Sequence, residues 1–278
     1  MRRVACPGVV TVEHIPARTA DGITLAATAH GQGPALLMIP GLGATRRVYA
    51  PLVPLLAEHH RVIVYDPRGI GDSEITDGPY SMAQLAGDAA CVLDAAGEDV
   101  AVVFGASMGG MVAQHVGLDH ADRTGRLILA CTSPGTSHAV AAEREATRAL
   151  LGKGAKTPAG AYRLATTVLY TPRFQQAHPQ FVEEEIAERG RHPVRARAFS
   201  AQYEAVRQHD TWDRLPSLHM PVLLLHGSED RVMPVGNSEV LASRIPDATL
   251  VVLDGLGHLF WHEDPERAAR AILDFTLR

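Results

Sequence analysis

Three side chains in this sequence are of the types that nucleophilic acyl chemistry requires: Ser107, Asp230 and His258. Ser107 sits in Gly105-Ala106-Ser107-Met108-Gly109-Gly110, directly after the β-branched run Val100-Ala101-Val102-Val103-Phe104 and directly before a helix-like pattern. A serine on so sharp a strand-to-helix turn projects its hydroxyl out of the sheet, and the first amides of the helix face any oxyanion it creates. Gly105 and Gly109 leave room for the two backbones to approach closely. A serine hydroxyl is a weak nucleophile until a base removes its proton, a histidine has a suitable pKa, and that histidine needs a carboxylate to fix its tautomer. His258 follows Asp254-Gly255-Leu256-Gly257, a loop flexible enough to turn toward a cleft, with His262 four residues on. Asp230 ends His226-Gly227-Ser228-Glu229-Asp230, with Glu229 as a competing carboxylate. The expected roles are nucleophile for Ser107, base and then acid for His258, and orienting carboxylate for Asp230. The expected oxyanion donors are the backbone amides of Met108 and of Leu42, the latter in Pro40-Gly41-Leu42-Gly43.

Each residue also has an ordinary reading. Gly-x-Ser-x-Gly occurs by chance, Asp230 could be a turn aspartate, and His258 a surface loop histidine. His258 and His262 at i, i+4 could form a metal pair, but no third ligand stands near them in sequence. What favours catalysis is that all three residues fall just past an expected strand, where the loops of an open α/β sheet form its crevice.

The elements that must position these residues follow from hydrophobic periodicity. Val9–Ile15 and Ile23–His30 read as strands joined through the hairpin signal Asp21-Gly22. Ala35–Ile39 is an unbroken apolar run of the kind found in a strand covered on both faces, Arg61–Tyr65 reads as another buried strand, and Val100–Phe104, Leu127–Cys131, Val222–Leu225 and Thr249–Leu253 read as further strands. Helix patterns lie between them over Val48–Glu58, from the N-cap Ser81 through about Ala96, after Ser107, over Gly236–Arg244 and from Pro265. This alternation predicts an α/β fold with a mainly parallel central sheet and helices on both faces. From Ser133-Pro134-Gly135 to about Leu215 only helical patterns occur, broken at Thr157-Pro158, Thr171-Pro172, His178-Pro179 and His192-Pro193. The expected organisation is a core of residues 1–133 and 216–278 with an inserted helical cap, or lid, over 134–215. Tyr162, Tyr170, Phe199, Tyr203 and Trp212 supply aromatic area in that cap. Tyr203 and Trp212, with Trp261 beside His258, stand as candidate substrate contacts against a competing reading as packing residues.

Composition narrows the function classes. The 278 residues are 46% hydrophobic, enough for one large α/β domain with an insertion, and the net charge of -5 is spread without a basic field for nucleic acid. Cys6, Cys91 and Cys131 are odd in number, far apart and without metal-ligand spacing, which predicts reduced thiols in a cytoplasmic protein. The N-terminal Met1-Arg2-Arg3 is followed by no apolar segment of signal-peptide type, and no apolar run approaches membrane-spanning length. Gly41-Leu42-Gly43-Ala44-Thr45-Arg46 opens like a dinucleotide fingerprint, but Arg46 stands where the third glycine belongs, and no P-loop lysine accompanies either glycine cluster. No cofactor and no metal is implied, and a small molecule is the expected partner.

Together these motifs resemble the α/β-hydrolase superfamily over nearly the whole chain. The order Ser107, Asp230, His258 matches the chain order of its triad. Asp66-Pro67-Arg68-Gly69-Ile70-Gly71-Asp72-Ser73 is similar to its D-x-R-G-x-G-x-S loop, and His226-Gly227-Ser228-Glu229-Asp230 to its acid loop, in which the resemblance makes the histidine structural. The Ser107 elbow resembles those of 3-oxoadipate enol-lactonases, esterases of polyketide pathways and carbon–carbon bond hydrolases. One departure stands out: where the family's oxyanion loop commonly begins His-Gly, this chain has Pro40-Gly41, which leaves the Leu42 amide in place. The resemblance implies hydrolysis of an ester or lactone of a small hydrophobic acid. The alternatives are a carbon–carbon bond hydrolase or cofactor-free perhydrolase with the same triad, or a ligand-binding receptor of this fold without turnover. Ser107 argues against the epoxide hydrolases and dehalogenases of this fold, which use Asp as nucleophile.

Overall fold

Unbroken apolar runs become strands buried on both faces because alternate side chains point to opposite sides of a sheet. A computed structural model, which describes residues 12–278, shows the result as one eight-stranded sheet. In chain order the strands are β1 (Val12–Arg18), β2 (Thr24–His30), β3 (Ala35–Ile39), β4 (Arg61–Tyr65), β5 (Ala101–Ala106), β6 (Thr124–Ala130), β7 (Val222–Gly227) and β8 (Ala248–Leu253). Their spatial order is β1-β2-β4-β3-β5-β6-β7-β8. β2 pairs antiparallel with β1 and with β4, and every later pairing is parallel. Leu37, Ile39, Ala101 and Val103 face one apolar cluster, while Leu36, Met38, Val102 and Phe104 face the other. The first cluster is completed by helices α2 (Met82–Ala96) and α3 (Met108–Asp119), the second by α1 (Val53–Leu56), α11 (Pro265–Thr276) and apolar residues between β6 and β7 such as Val168, Leu169 and Ile186. The result is the mainly parallel α/β sheet with helices on both faces expected from the alternation of strands and helices.

Local signals explain most boundaries. Ser81 caps α2 by accepting the Gln84 N–H at 3.1 Å, and Gly97 ends it in the left-handed region at φ 73°. Several boundaries shift by a few residues, β6 for example opening at Thr124 and not at Leu127, and two differences have a clear reason or bear on the described range. The helix pattern Val48–Glu58 resolves into a 3₁₀ turn, Arg46–Tyr49, and the single-turn α1, because Pro51 cannot donate an intrahelical bond and Pro54 is tolerated only in a first turn. β1 runs through Arg18, past the Ile15 end expected for it; the start placed at Val9 lies outside the described residues, as do the Met1-Arg2-Arg3 segment and Cys6.

Between β6 and β7 the chain forms five helices: α4 (Arg144–Leu150), α5 (Pro158–Leu169), α6 (Pro172–Ala177), α7 (Pro179–Arg191) and α8 (Ala196–Gln208). The breaks at Pro158, Pro172 and Pro179 are helix starts, with Thr157 and Thr171 accepting the Gly160 and Phe174 N–H groups as caps, whereas Pro193 lies in the connection ahead of α8. Beyond β7 come α9 (Gly236–Ala242) and, after β8, the short α10 (Phe260–Glu263) ahead of α11. Among the described residues no helix is long and apolar enough to cross a membrane.

The entry and exit of the five-helix segment are stitched together under one α3 side chain. Gln114 donates from Nε2 to the Ser133 carbonyl at 3.0 Å and accepts at Oε1 from the Thr211 hydroxyl at 2.5 Å, while Thr211 N–H donates to the Pro134 carbonyl at 2.9 Å. His209 is buried at this junction, and neither ring nitrogen has a hydrogen-bond partner among the described residues. Burial, aided by neighbouring His115, pushes its pKa down to about 4. The unfolded chain takes up this proton near pH 6.5 and the folded chain does not, so stability present above that pH is lost as the pH falls toward 4. Between pH 7 and pH 5 the wild-type chain is therefore expected to lose about 2 kcal/mol more than His209→Gln. Urea unfolding at both pH values checks this, and parallel losses would refute it.

Candidate active site

β5 ends where Ser107 takes φ 58° and ψ -121°, a left-handed conformation that a non-glycine residue holds only under constraint. The constraint comes from both sides. Ser107 N–H donates to the Ala130 carbonyl at 2.9 Å, and its own carbonyl accepts from the Thr132 hydroxyl at 2.8 Å. A side chain at Gly105 would collide with the Gly109 carbonyl, and one at Gly109 with that of Ile39, so these glycines permit the crossing of β5, α3 and β3. Ser107 keeps partial exposure in otherwise buried surroundings.

The loop after β3 closes against this elbow. A Cβ on Gly41 would lie 3.3 Å from that of Ser107, which places the loop backbone beside the nucleophile candidate. The turn is fixed by the Ala44 N–H to Gly41 carbonyl bond of 3.1 Å and by the left-handed Gly43, φ 63°. In a chain that carries Pro40 at the start of this loop, the Tyr49 hydroxyl braces the preceding Ile39 carbonyl at 2.6 Å. The amides of Leu42 and Met108 donate to no protein acceptor among the described residues, and Met108 opens α3, where the helix dipole also favours negative charge.

Asp230 and His258 are brought together from 28 residues apart by a 2.7 Å bond between Asp230 Oδ2 and His258 Nδ1. Asp230 is buried, which on its own would raise its pKa. The proximity of His258 and hydrogen bonds from His226 and His258 outweigh that and hold it at about 2. Its other oxygen, Oδ1, accepts the N–H groups of Val232 and Met233 at 2.8 and 2.9 Å. An ionised carboxylate can only accept, so it keeps a proton on Nδ1 and leaves Nε2 as the basic nitrogen. Glu229, the competing carboxylate, is exposed. His226 lies buried between Ser238, Asp230 and the Met233 carbonyl, where it supports the Asp230 loop.

Ser107 and the Asp230–His258 pair meet at Cys131. The Cys131 thiol lies within 4.8 Å of ligand-type atoms of both Asp230 and His258, and the Ser107 backbone reaches the same sulfur. Burial and then the Asp230 charge raise this thiol well above its ordinary pKa. A neutral thiol beside a carboxylate already saturated by four donors is poorly suited to bind a cation. His262 turns away from His258: it bonds the Tyr170 hydroxyl at 3.0 Å and the Val48 carbonyl at 2.8 Å, so the two do not form a metal pair.

The aromatic candidates scatter. Trp261, 2% exposed, packs on Tyr49 and Phe260 and donates its indole N–H to the Val48 carbonyl at 2.8 Å, which makes it a core residue in place of a substrate contact. Trp212 is spent between His138, stacked at 4.2 Å, and Arg244 at 4.8 Å. Tyr203 is half-buried on α8. Two residues that sequence reasoning missed do touch the loop after β3. Gln202 Oε1 accepts the Gly43 N–H at 2.8 Å, and Arg189 Nη1 donates to the Gly43 carbonyl at 2.5 Å. One signal was available: Gln202 falls on the same stripe of α8 as the buried Ala198 and Ala205, a polar residue at a core position.

A family model described as alpha/beta hydrolase fold matches residues 34–265. A protein of Azorhizobium caulinodans named as a carbamate hydrolase is 31% identical over 88% of this chain and 92% of its own length. 3-oxoadipate enol-lactonase 2 of Acinetobacter baylyi is 29% identical over 91% and 93% of the two chains. Among solved structures, a thermophilic esterase from Thermogutta terrifontis superposes with a TM-score of 0.80 at 29% identity, covering 95% of this chain and 97% of that one.

Proposed function

The chain belongs to the α/β-hydrolase family, and from that premise we propose that it is a serine hydrolase acting on an ester or lactone of a small hydrophobic acid. The observation that carries this reading is the 2.7 Å bond from His258 to a buried, ionised Asp230, set beside a strained elbow that ends in Ser107. Asp230 keeps the His258 proton on Nδ1, so Nε2 takes the Ser107 hydroxyl proton as Oγ attacks the carbonyl carbon. The carbonyl π electrons move to oxygen, and the Leu42 and Met108 amides hold that oxyanion. Collapse breaks the acyl C–O bond, and the proton on Nε2 passes to the departing alkoxide. Water then attacks the acyl-enzyme, losing its proton to the same nitrogen, and the acid leaves as Ser107 regains its hydrogen. Every proton and electron pair moves among these residues, substrate and water.

In this reading residues 134–215 form a cap over the cleft and the partner is a small molecule. The free thiols Cys91 and Cys131 suit work in the cytoplasm. The enol-lactonase and esterase relatives support carboxylic-acid derivatives as substrates. A fluorophosphonate probe followed by peptide mass spectrometry tests the reading directly. A single adduct on Ser107 is expected. An unlabelled Ser107 would instead favour a receptor that binds in this cleft without turnover.

A further inference from the structure

Gln202 is fully buried, and its two polar atoms have unequal fates. Oε1 accepts the Gly43 N–H at 2.8 Å, whereas Nε2 has no partner among the described residues and is buried. The orientation of the carboxamide is not arbitrary. Flipped, it would set Nε2 against the Gly43 N–H, donor against donor, so Gly43 itself dictates that Nε2 is the atom left over. A buried donor without an acceptor costs as much free energy as a hydrogen bond contributes, and folded proteins rarely leave one unless something else pairs with it.

The leftover donor has a defined address. The two heteroatoms of an amide are about 2.3 Å apart, so Nε2 lies within about 5 Å of the Gly43 nitrogen. Gly43 is the neighbour of Leu42, whose amide is the proposed oxyanion donor, and Gly41 of the same turn abuts Ser107. Phe199, one turn earlier on α8, packs its ring against the Gly43 Cα, and Arg189 of α7 holds the Gly43 carbonyl. Gly43 is therefore gripped by residues from two helices of the segment between β6 and β7, and one of them carries a buried, unused donor close to the Gly43 nitrogen.

We infer that Gln202 is a substrate-binding residue: Oε1 pins the oxyanion loop while Nε2 donates to an acceptor oxygen carried by the acyl group close to the scissile carbonyl. The substrate class is thereby narrowed from any small ester or lactone to one whose acid bears a second oxygen, as a ketone, ether or carboxylate, near the reacting carbon. This assignment rests on the serine-hydrolase reading above. It also separates the two jobs of one side chain. Glutamate at this position keeps an acceptor for Gly43 and loses the donor, while leucine loses both.

The test compares p-nitrophenyl butyrate with the 3-oxobutanoate, methoxyacetate and hydrogen-succinate esters in the wild type, Gln202→Glu and Gln202→Leu. The wild type is expected to favour at least one oxygen-bearing ester over butyrate by about tenfold or more in kcat/KM, chiefly through a lower KM. Which ester is favoured identifies the acceptor. Gln202→Glu, which keeps an acceptor for the Gly43 N–H and lacks the donor, is expected to lose more kcat/KM on the neutral oxygen-bearing esters than on butyrate, and so to lose the preference. Gln202→Leu is expected to lose the preference and, with Gly43 released, to lower kcat for butyrate as well. Fluorophosphonate labelling of Ser107 runs alongside in all three proteins. Labelling that persists with no wild-type preference, or with a preference unchanged in both variants, overturns the Gln202 assignment alone. Failure to label the wild type overturns the hydrolase reading and the assignment with it.

Discussion

Replacing Ser107 or His258 by alanine is expected to lower kcat for p-nitrophenyl ester hydrolysis by about 10⁴-fold or more, with the fold retained. The two changes remove different parts of one step, the oxygen that attacks and the nitrogen that accepts its proton. Their effects should therefore not multiply, and the double variant should be about as slow as either single one. Stability offers the control. Ser107 holds its strained turn through backbone bonds to Ala130 and Thr132, which alanine preserves. Near-wild-type turnover in either variant, measured on folded protein, would refute the mechanism.

Asp230→Asn is expected to be almost as damaging, by about 10⁴-fold in kcat, though it alters no shape. Oδ1 of Asp230 accepts two backbone N–H groups, from Val232 and Met233, so the single carbonyl oxygen of an asparagine must face them. The new NH₂ group then points at His258 and His226, where an acceptor stood before. His258 can meet a donor at Nδ1 only by carrying its proton on Nε2, the tautomer that cannot take a proton from Ser107. The defect is thus one of tautomer. Activity within about tenfold of wild type in Asp230→Asn would show that His258 is oriented by something other than this carboxylate.

The parts of this site that were legible in sequence share one property: each is set by a local pattern at the end of a strand. The Ser107 turn is written in Gly105 and Gly109, whose missing side chains make room for Gly109 and Ile39 backbone. Asp230 follows the buried strand β7 and His258 the edge strand β8, and parallel strands put those loops on one edge. The sequence pointed to Asp230 with Glu229 as its competitor, and burial separates the two: one carboxylate is enclosed by four donors and the other faces water.

The aromatic residues show where such patterns stop. Trp261 stands three residues from His258 yet faces the core, because the turn of α10 rotates it toward Tyr49 and Val48. Trp212 belongs to the junction with His138 and Arg244. Gln202 and Arg189 gave almost no warning, since their partner Gly43 lies 159 and 146 residues away and no local periodicity reports a contact at that distance. Alternation of strands and helices, the glycine-flanked serine and the ordered acid and base are consequences of short-range sterics and periodicity, and these the amino-acid sequence determined by itself. Which carboxylate is desolvated, which aromatics are spent on packing and which polar side chain is left with an unused donor beside the oxyanion loop depend on long-range burial, and only the tertiary structure decided them.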